Sequence, residues 1–142
     1  MALAYWDGGW SHPEAYQCNA RAAPALLGWL VRENQLAGLA VRAQVEEFRA
    51  GTGAGARGLE ADVTRTLVDD LAAVLKQAGV IYKVRSASEV KPWAGDKRLE
   101  RAGLLAVTSK MTRDGRDAQR HLLFCAVHDY GVPDPLSKRG QS

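Results

Sequence analysis

Apolar positions recur along this chain in two rhythms, and the change between them falls at Gly79. Before it the spacing is mostly that of helices. The segment "SHPEAYQ" carries a helix start: Ser11 is placed to cap, Pro13 suits a first turn, and Glu14 completes a capping box three residues after Ser11. Pro24 then restarts or kinks the helix, and Leu26, Leu27, Leu30 and Val31 follow at the three-and-four spacing of a buried face. Val41, Val45 and Phe48 continue on one helical face, although residues 39–46 also alternate apolar and polar, which leaves a strand open there. The clearest helix spans about 59–78, where Leu59, Val63, Leu67, Leu71, Val74 and Leu75 form a stripe, early acids and late Lys76 suit the helix dipole, and Gly79 terminates.

After Gly79 the period shortens to two. "VIYKVR" alternates and is rich in branched and aromatic residues, as a half-buried strand should be. "SASEVKPWAGDKRLERAG" is polar and broken by Pro92 and Gly95, which predicts a long loop with a helical turn around Asp96 to Arg101. "GLLAVTSKM" and "RHLLFCAV" then flank Asp114-Gly115, the dipeptide favoured by a two-residue type I′ turn. Counting back from that turn sets Leu104, Leu105, Ala106 and Val107 opposite Cys125, Phe124, Leu123 and Leu122, so turn and register agree on a hairpin. A helix over 118–130 is the alternative. The proline-bearing end, residues 131–142, predicts an extended tail.

The fold class expected is α+β, with N-terminal helices packed on a small antiparallel sheet that contains the C-terminal β-hairpin. Length supports a single domain over 1–142: an aromatic segment at 1–10, a mainly helical part at 11–79, strands and a long loop at 80–130, and the tail. With 142 residues, 46% hydrophobic and 25% charged, the chain can bury a core without metal or disulfide staples. No apolar run approaches the ~20 residues of a membrane span, and the first ten residues lack the pattern of a signal peptide, so the expectation is no membrane and a protein that stays in the cytoplasm where it is made. Cys18 and Cys125 have no C-x-x-C spacing and read as core thiols, a bridge between them being the alternative. The net charge of +3 is uneven: residues 1–79 hold 7 basic and 9 acidic side chains, residues 80–142 hold 12 and 7. Acidic partners would favour the second half.

Candidate chemistry is sparse. On a strand, His121 and Cys125 share a face with Asp129 while His128 points to the other, which rules out one three-ligand site; on a helix, His121, Cys125 and His128 fall at i, i+4 and i+7, a zinc-compatible spacing. Cys125 in "LLFCAV" has nothing to stabilise a thiolate. Gly53 to Gly58, "GAGARG", fits G-x-G-x-x-G, but the segment before it reads as helix and no ribose-binding acid follows a second strand, so a flexible linker is expected. Ser88 and Lys91 match S-x-x-K, with Pro92 directly after arguing against the helix that motif needs. Asp69 and Asp70 are adjacent on a helix and read as solvated surface. No catalytic, metal or cofactor residue is assigned, and the chain is not expected to be an enzyme. What remains are partner contacts: Trp6 and Trp10, which either fold back over the sheet or dock on a partner as aromatic anchors, and a basic set of Lys97, Arg98, Arg101, Arg113, Arg116 and Arg120 with Trp93 nearby to stack a base, interleaved with Asp96, Glu100, Asp114 and Asp117 in the manner of a salt-bridged surface.

The stretch "FCAVHDYGVPDP", Phe124 to Pro135, resembles the aromatic-Ala-x-x-His-Glu-aromatic-Gly segment and proline-bearing tail of small tail-completion and head-to-tail joining proteins of tailed bacteriophages, as does the expected order of helices, small sheet and tail. Cys125 stands where alanine is usual, and the family's Gly-Arg-Leu-Arg-Arg-Ser segment has no clean counterpart near "GDKRLERAG". The resemblance implies a non-catalytic ring subunit of a virion neck or tail, a homo-oligomer with protein partners. Two alternatives stay open: a basic module that binds nucleic acid through the hairpin tip, and a small metal-dependent or Cys/His hydrolase using His121, Cys125 and His128.

Overall fold

The computed structural model describes residues 2–5, 14–49, 58–104 and 113–137. The chain is mixed helix and strand and divides into two compact units, one of residues 19–86 and one built from residues 1–18 with 87–142.

The unit of residues 19–86 runs helix, strand, helix, strand. Helix α1 spans Ala23–Leu36 with a proline in its first turn, so Pro24 starts the helix and does not kink it. Strand β3, Arg42–Glu46, pairs in parallel with β4, Ile81–Arg85, in the register Arg42↔Ile81 to Glu46↔Arg85. Helix α2, Leu59–Gln77, makes the crossover between them, because parallel strands need a long connection. The alternation at 39–46 therefore outweighs the helical spacing of Val41, Val45 and Phe48. Ala23, Val31, Val45, Leu71, Leu75 and Val80 are buried. Helices α1 and α2 pack on each other, and the Gln35 side-chain amide donates to the Ala78 carbonyl at 2.9 Å. Both helices close on a left-handed glycine: Leu39 N–H reaches Asn34 O and Val80 N–H reaches Leu75 O, across Gly38 (φ 78°) and Gly79 (φ 69°). The expected α2 stripe is buried only in its second half, since Leu59 and Val63 are exposed.

The other unit opens with β1, Ala2–Tyr5, antiparallel to β2, Glu14–Gln17. The helix expected from Ser11 is thus corrected at its described end: residues 14–17 are strand. A capping box offers about two local bonds, whereas the Ala2–Tyr5 run offers a ladder, and the ladder prevails. Two short helices follow, α3 (Ala87–Val90) and α4 (Asp96–Arg101), the second where the helical turn was expected.

The last element corrects the central expectation. Residues expected as a hairpin form one helix, α5, Arg113–Tyr130, which packs on β1 and β2. Gly115 lies in its first turns without the positive φ a type I′ turn requires. The physical reason is that Ala118, Gln119, Arg120, Leu122, Leu123 and Ala126 are all strong helix formers, and buried Gly115, Gln119, Leu123 and Ala126 return at helical spacing. One dipeptide signal loses to eighteen residues. The sheets are accordingly an N-terminal antiparallel ribbon and a separate parallel pair, not an antiparallel sheet with a C-terminal hairpin. Residues 105–107, the expected partner strand, lie outside the described residues. Among the described residues no helix is long and apolar enough to cross a membrane.

Candidate interaction site

The unit of residues 1–18 and 87–142 gathers its chemistry around Trp93. Val90, Ala94 and Phe124 form one buried cluster, and Leu99, Ala102, Leu104 and Leu123 another, with Trp93 packed against both. The Trp93 ring meets Phe124 edge-on at 5.5 Å and His128 at 4.6 Å, and the Phe124 and His128 rings stack at 4.2 Å. Arg98 lies 4.5 Å over Trp93. Its guanidinium also donates to the Trp93 carbonyl (2.9 Å) and grips Asp134 through Nε (3.1 Å to Oδ1) and Nη2 (3.0 Å to Oδ2). Asp134 in turn accepts from the Leu136 N–H at 2.9 Å, so the tail over 131–137 is turned and pinned where an extended arm was expected. The hydrogen bond from Arg98 is the main cause holding the Asp134 carboxyl below its ordinary value of 3.8, against a smaller opposing effect of burial.

A second network lies on α5. Arg120 bridges Asp117 (2.9 Å) and Asp96 (2.8 Å), and Lys91 reaches the other oxygen of Asp117 at 2.9 Å. Of the interleaved acids, Asp96 and Asp117 form salt bridges, and the one at Asp117 is largely buried: the side chains of Arg120 and Asp117 are 18% and 14% exposed. Nothing in the sequence announced Arg98–Asp134, whose partners are separated by α5, or buried Gln119, whose two amide atoms have no hydrogen-bond partner among the described residues.

Of the expected contact residues, Trp93 and Arg98 are brought together and engaged with each other. Lys97 and Arg101 are exposed on α4, Arg113 is exposed and Arg116 half-buried at the start of α5, and Trp6 and Trp10 lie outside the described residues. The hairpin tip proposed to present Arg113 and Arg116 does not exist. Nor does the basic half survive as a body: residues 1–18 with 87–142 hold ten basic and nine acidic side chains, and residues 19–86 hold nine and seven.

The imidazoles and thiol take the helical spacing, not the strand one. His121 and Cys125 are buried while His128 is exposed in the aromatic stack, and among the described residues no three of His, Cys, Asp or Glu are placed to hold a metal ion. Cys18 and Cys125 are not joined by a disulfide. Ser88 sits in the single turn of α3, directly before Lys91. For "GAGARG" the structural setting is corrected: a strand, β3, precedes it, and Gly58 leads into α2 within a β-α-β unit. Six residues still separate Glu46 from Gly53, Arg85 and not an acid ends β4, and residues 50–57 lie outside the described residues. Comparison with protein-family models, curated proteins and solved structures finds no match.

Proposed function

We propose that this is a non-catalytic assembly protein that works by docking on other protein chains, a homo-oligomer included. The observation that carries the reading is exposed apolar bulk on α1: Trp29 and Leu36, two turns apart on one face with Arg32 and Glu33 between them, are 56% and 74% exposed. Leu39, Leu59 and Val63 of the same unit are also more than half or half exposed. A surface tryptophan backed by leucines on a rigid helix is the composition of an interface anchor, and a helix face of this kind lowers its free energy by burial against a neighbour. No pocket chemistry is required.

A virion neck or tail ring subunit is the specific form of this reading. It is supported by the Phe124 to Pro135 stretch, while the observed order of elements, ribbon first and long helix last, departs from the one the resemblance implied. Light scattering coupled to size exclusion tests the general reading. The expected result is a defined oligomer that Trp29→Ser converts to monomer. A wild-type monomer at high concentration that also binds no virion or other protein partner would sink it. Of the basic residues expected to contact nucleic acid, Lys97, Arg101 and Arg113 are exposed, and that reading predicts binding that weakens steeply with salt.

A further inference from the structure

We propose that the outer edge of β4 is a docking site for an extended segment of a different protein, one whose side chains alternate apolar and acidic. The proposal rests on the interaction-protein reading and names its partner. Parallel strands ordinarily lie inside sheets covered on both faces, and a two-stranded pair is marginal alone. Among the described residues β4 pairs only with β3. Yet Ile81 and Val84, which point to opposite faces of β4, are 58% and 45% exposed, whereas Val45, the register partner of Val84 on β3, is 8% exposed. Two branched apolar side chains are thus left exposed, one on each face of a strand that stands at a sheet edge.

Backbone geometry says what the edge offers. The Glu47 N–H donates to the Arg85 carbonyl at 2.7 Å, so residues 81, 83 and 85 turn their backbone groups to β3, and Tyr82 and Val84 turn theirs outward. Two donors and two acceptors thus stand in extended register for an added strand. Side chains say which strand. Alternation puts Arg42, Gln44 and Glu46 on one face with Ile81, Lys83 and Arg85, three cations to one carboxylate, and Arg85 reaches Gln44 on that face at 2.8 Å. The other face carries Ala43, Val45, Tyr82 and Val84. An incoming strand that is acidic on the first face and apolar on the second complements both. The same charges disfavour a second copy of β4: antiparallel pairing about a two-fold axis at Lys83 sets that ammonium opposite its own copy.

The test titrates the full chain with two synthetic hexapeptides, one alternating Val and Glu and one alternating Val and Lys, read by peptide fluorescence anisotropy and by amide hydrogen exchange. The expected result is saturable binding of the Val/Glu peptide, at least tenfold weaker binding of the Val/Lys peptide, and slowed exchange at Tyr82 and Val84. Val84→Pro removes an outward N–H without breaking a bond to β3 and should abolish binding with the circular dichroism spectrum retained. The pair Lys83→Glu and Arg85→Glu should reverse the peptide preference, a readout that stands even where the proline variant fails to fold. Equal binding of both peptides, or binding undiminished in Val84→Pro, overturns the proposal. No peptide binding by a chain whose Trp29-dependent oligomer is intact overturns this inference alone and leaves the assembly reading standing.

Discussion

Arg98 and Asp134, separated in sequence by the whole of α5, are joined fork to fork, Nη2 to Oδ2 at 3.0 Å and Nε to Oδ1 at 3.1 Å, on top of the Trp93 ring. Both side chains are about one quarter exposed. The pair is therefore screened by solvent, but its paired bonds and its ring contact exceed what a loose surface pair makes. Arg98→Ala should lower unfolding free energy by about 1–2 kcal/mol, through lost packing as well as lost charge, measured by urea denaturation.

The same pair sets a pH dependence. The folded-state pKa of Asp134 lies below the ordinary 3.8, chiefly because of Arg98, so its contribution is fully present above the ordinary carboxylate range and is lost as pH falls through the folded value. Wild type should therefore lose more stability than Asp134→Asn on acidification from pH 5 to pH 2. Parallel acid titrations of the two proteins would refute the clasp.

Arg120 is the hub that keeps two carboxylates apart and compensated. Arg120→Ala leaves Asp117, 14% exposed, with Lys91 alone, and should cost about 2–3 kcal/mol, with a coupling to Lys91→Ala in a double-mutant cycle. Additive single effects would show that Lys91 and Arg120 do not share Asp117.

Gln119 is fully buried with both amide atoms unpaired among the described residues. Replacing it by an apolar side chain of similar volume removes a desolvation penalty, so Gln119→Leu should be neutral or stabilising by about 1 kcal/mol in thermal unfolding. A fall in melting temperature of several degrees would show that the amide is satisfied.

Gly28 sits inside α1, and a Cβ built there would meet Val74 Cγ1 at 3.6 Å, an ordinary contact. Gly28→Ala should therefore stabilise by about 0.5–1 kcal/mol, because the backbone entropy saved is not offset by a clash. Destabilisation in the same assay would mean that α1 and α2 approach more closely than this distance.

Much of the middle of the chain was legible because its signals were redundant. Residues 59–77 had periodicity, dipole charges and a terminating glycine that agreed, and Ile81–Arg85 had both alternation and branched composition. The ends were misread for one physical reason: a local signal was trusted where non-local packing decided. Ser11 to Glu14 looked like a cap, but residues 14–17 found a ladder partner in Ala2–Tyr5. The apolar run Leu122 to Val127 is compatible with a buried strand or a buried helix, and Asp114-Gly115 tipped it the wrong way; Gly115, Gln119 and Leu123 at four-residue spacing would have tipped it back. The Arg98–Asp134 clasp left no trace in the sequence, since neither residue type nor spacing singles out one aspartate among nine.

Residues 1–18 and 87–142 belong to one body, with residues 19–86 interposed in sequence as a separate one. During synthesis, strand β1 leaves the ribosome long before the helix it packs against, and residues 19–86 have time to mature first. Truncation anywhere ahead of residue 113 should thus strand the ribbon of β1 and β2 without its cover, so that a stop codon there would disrupt residues 2–17 as surely as the residues it removes.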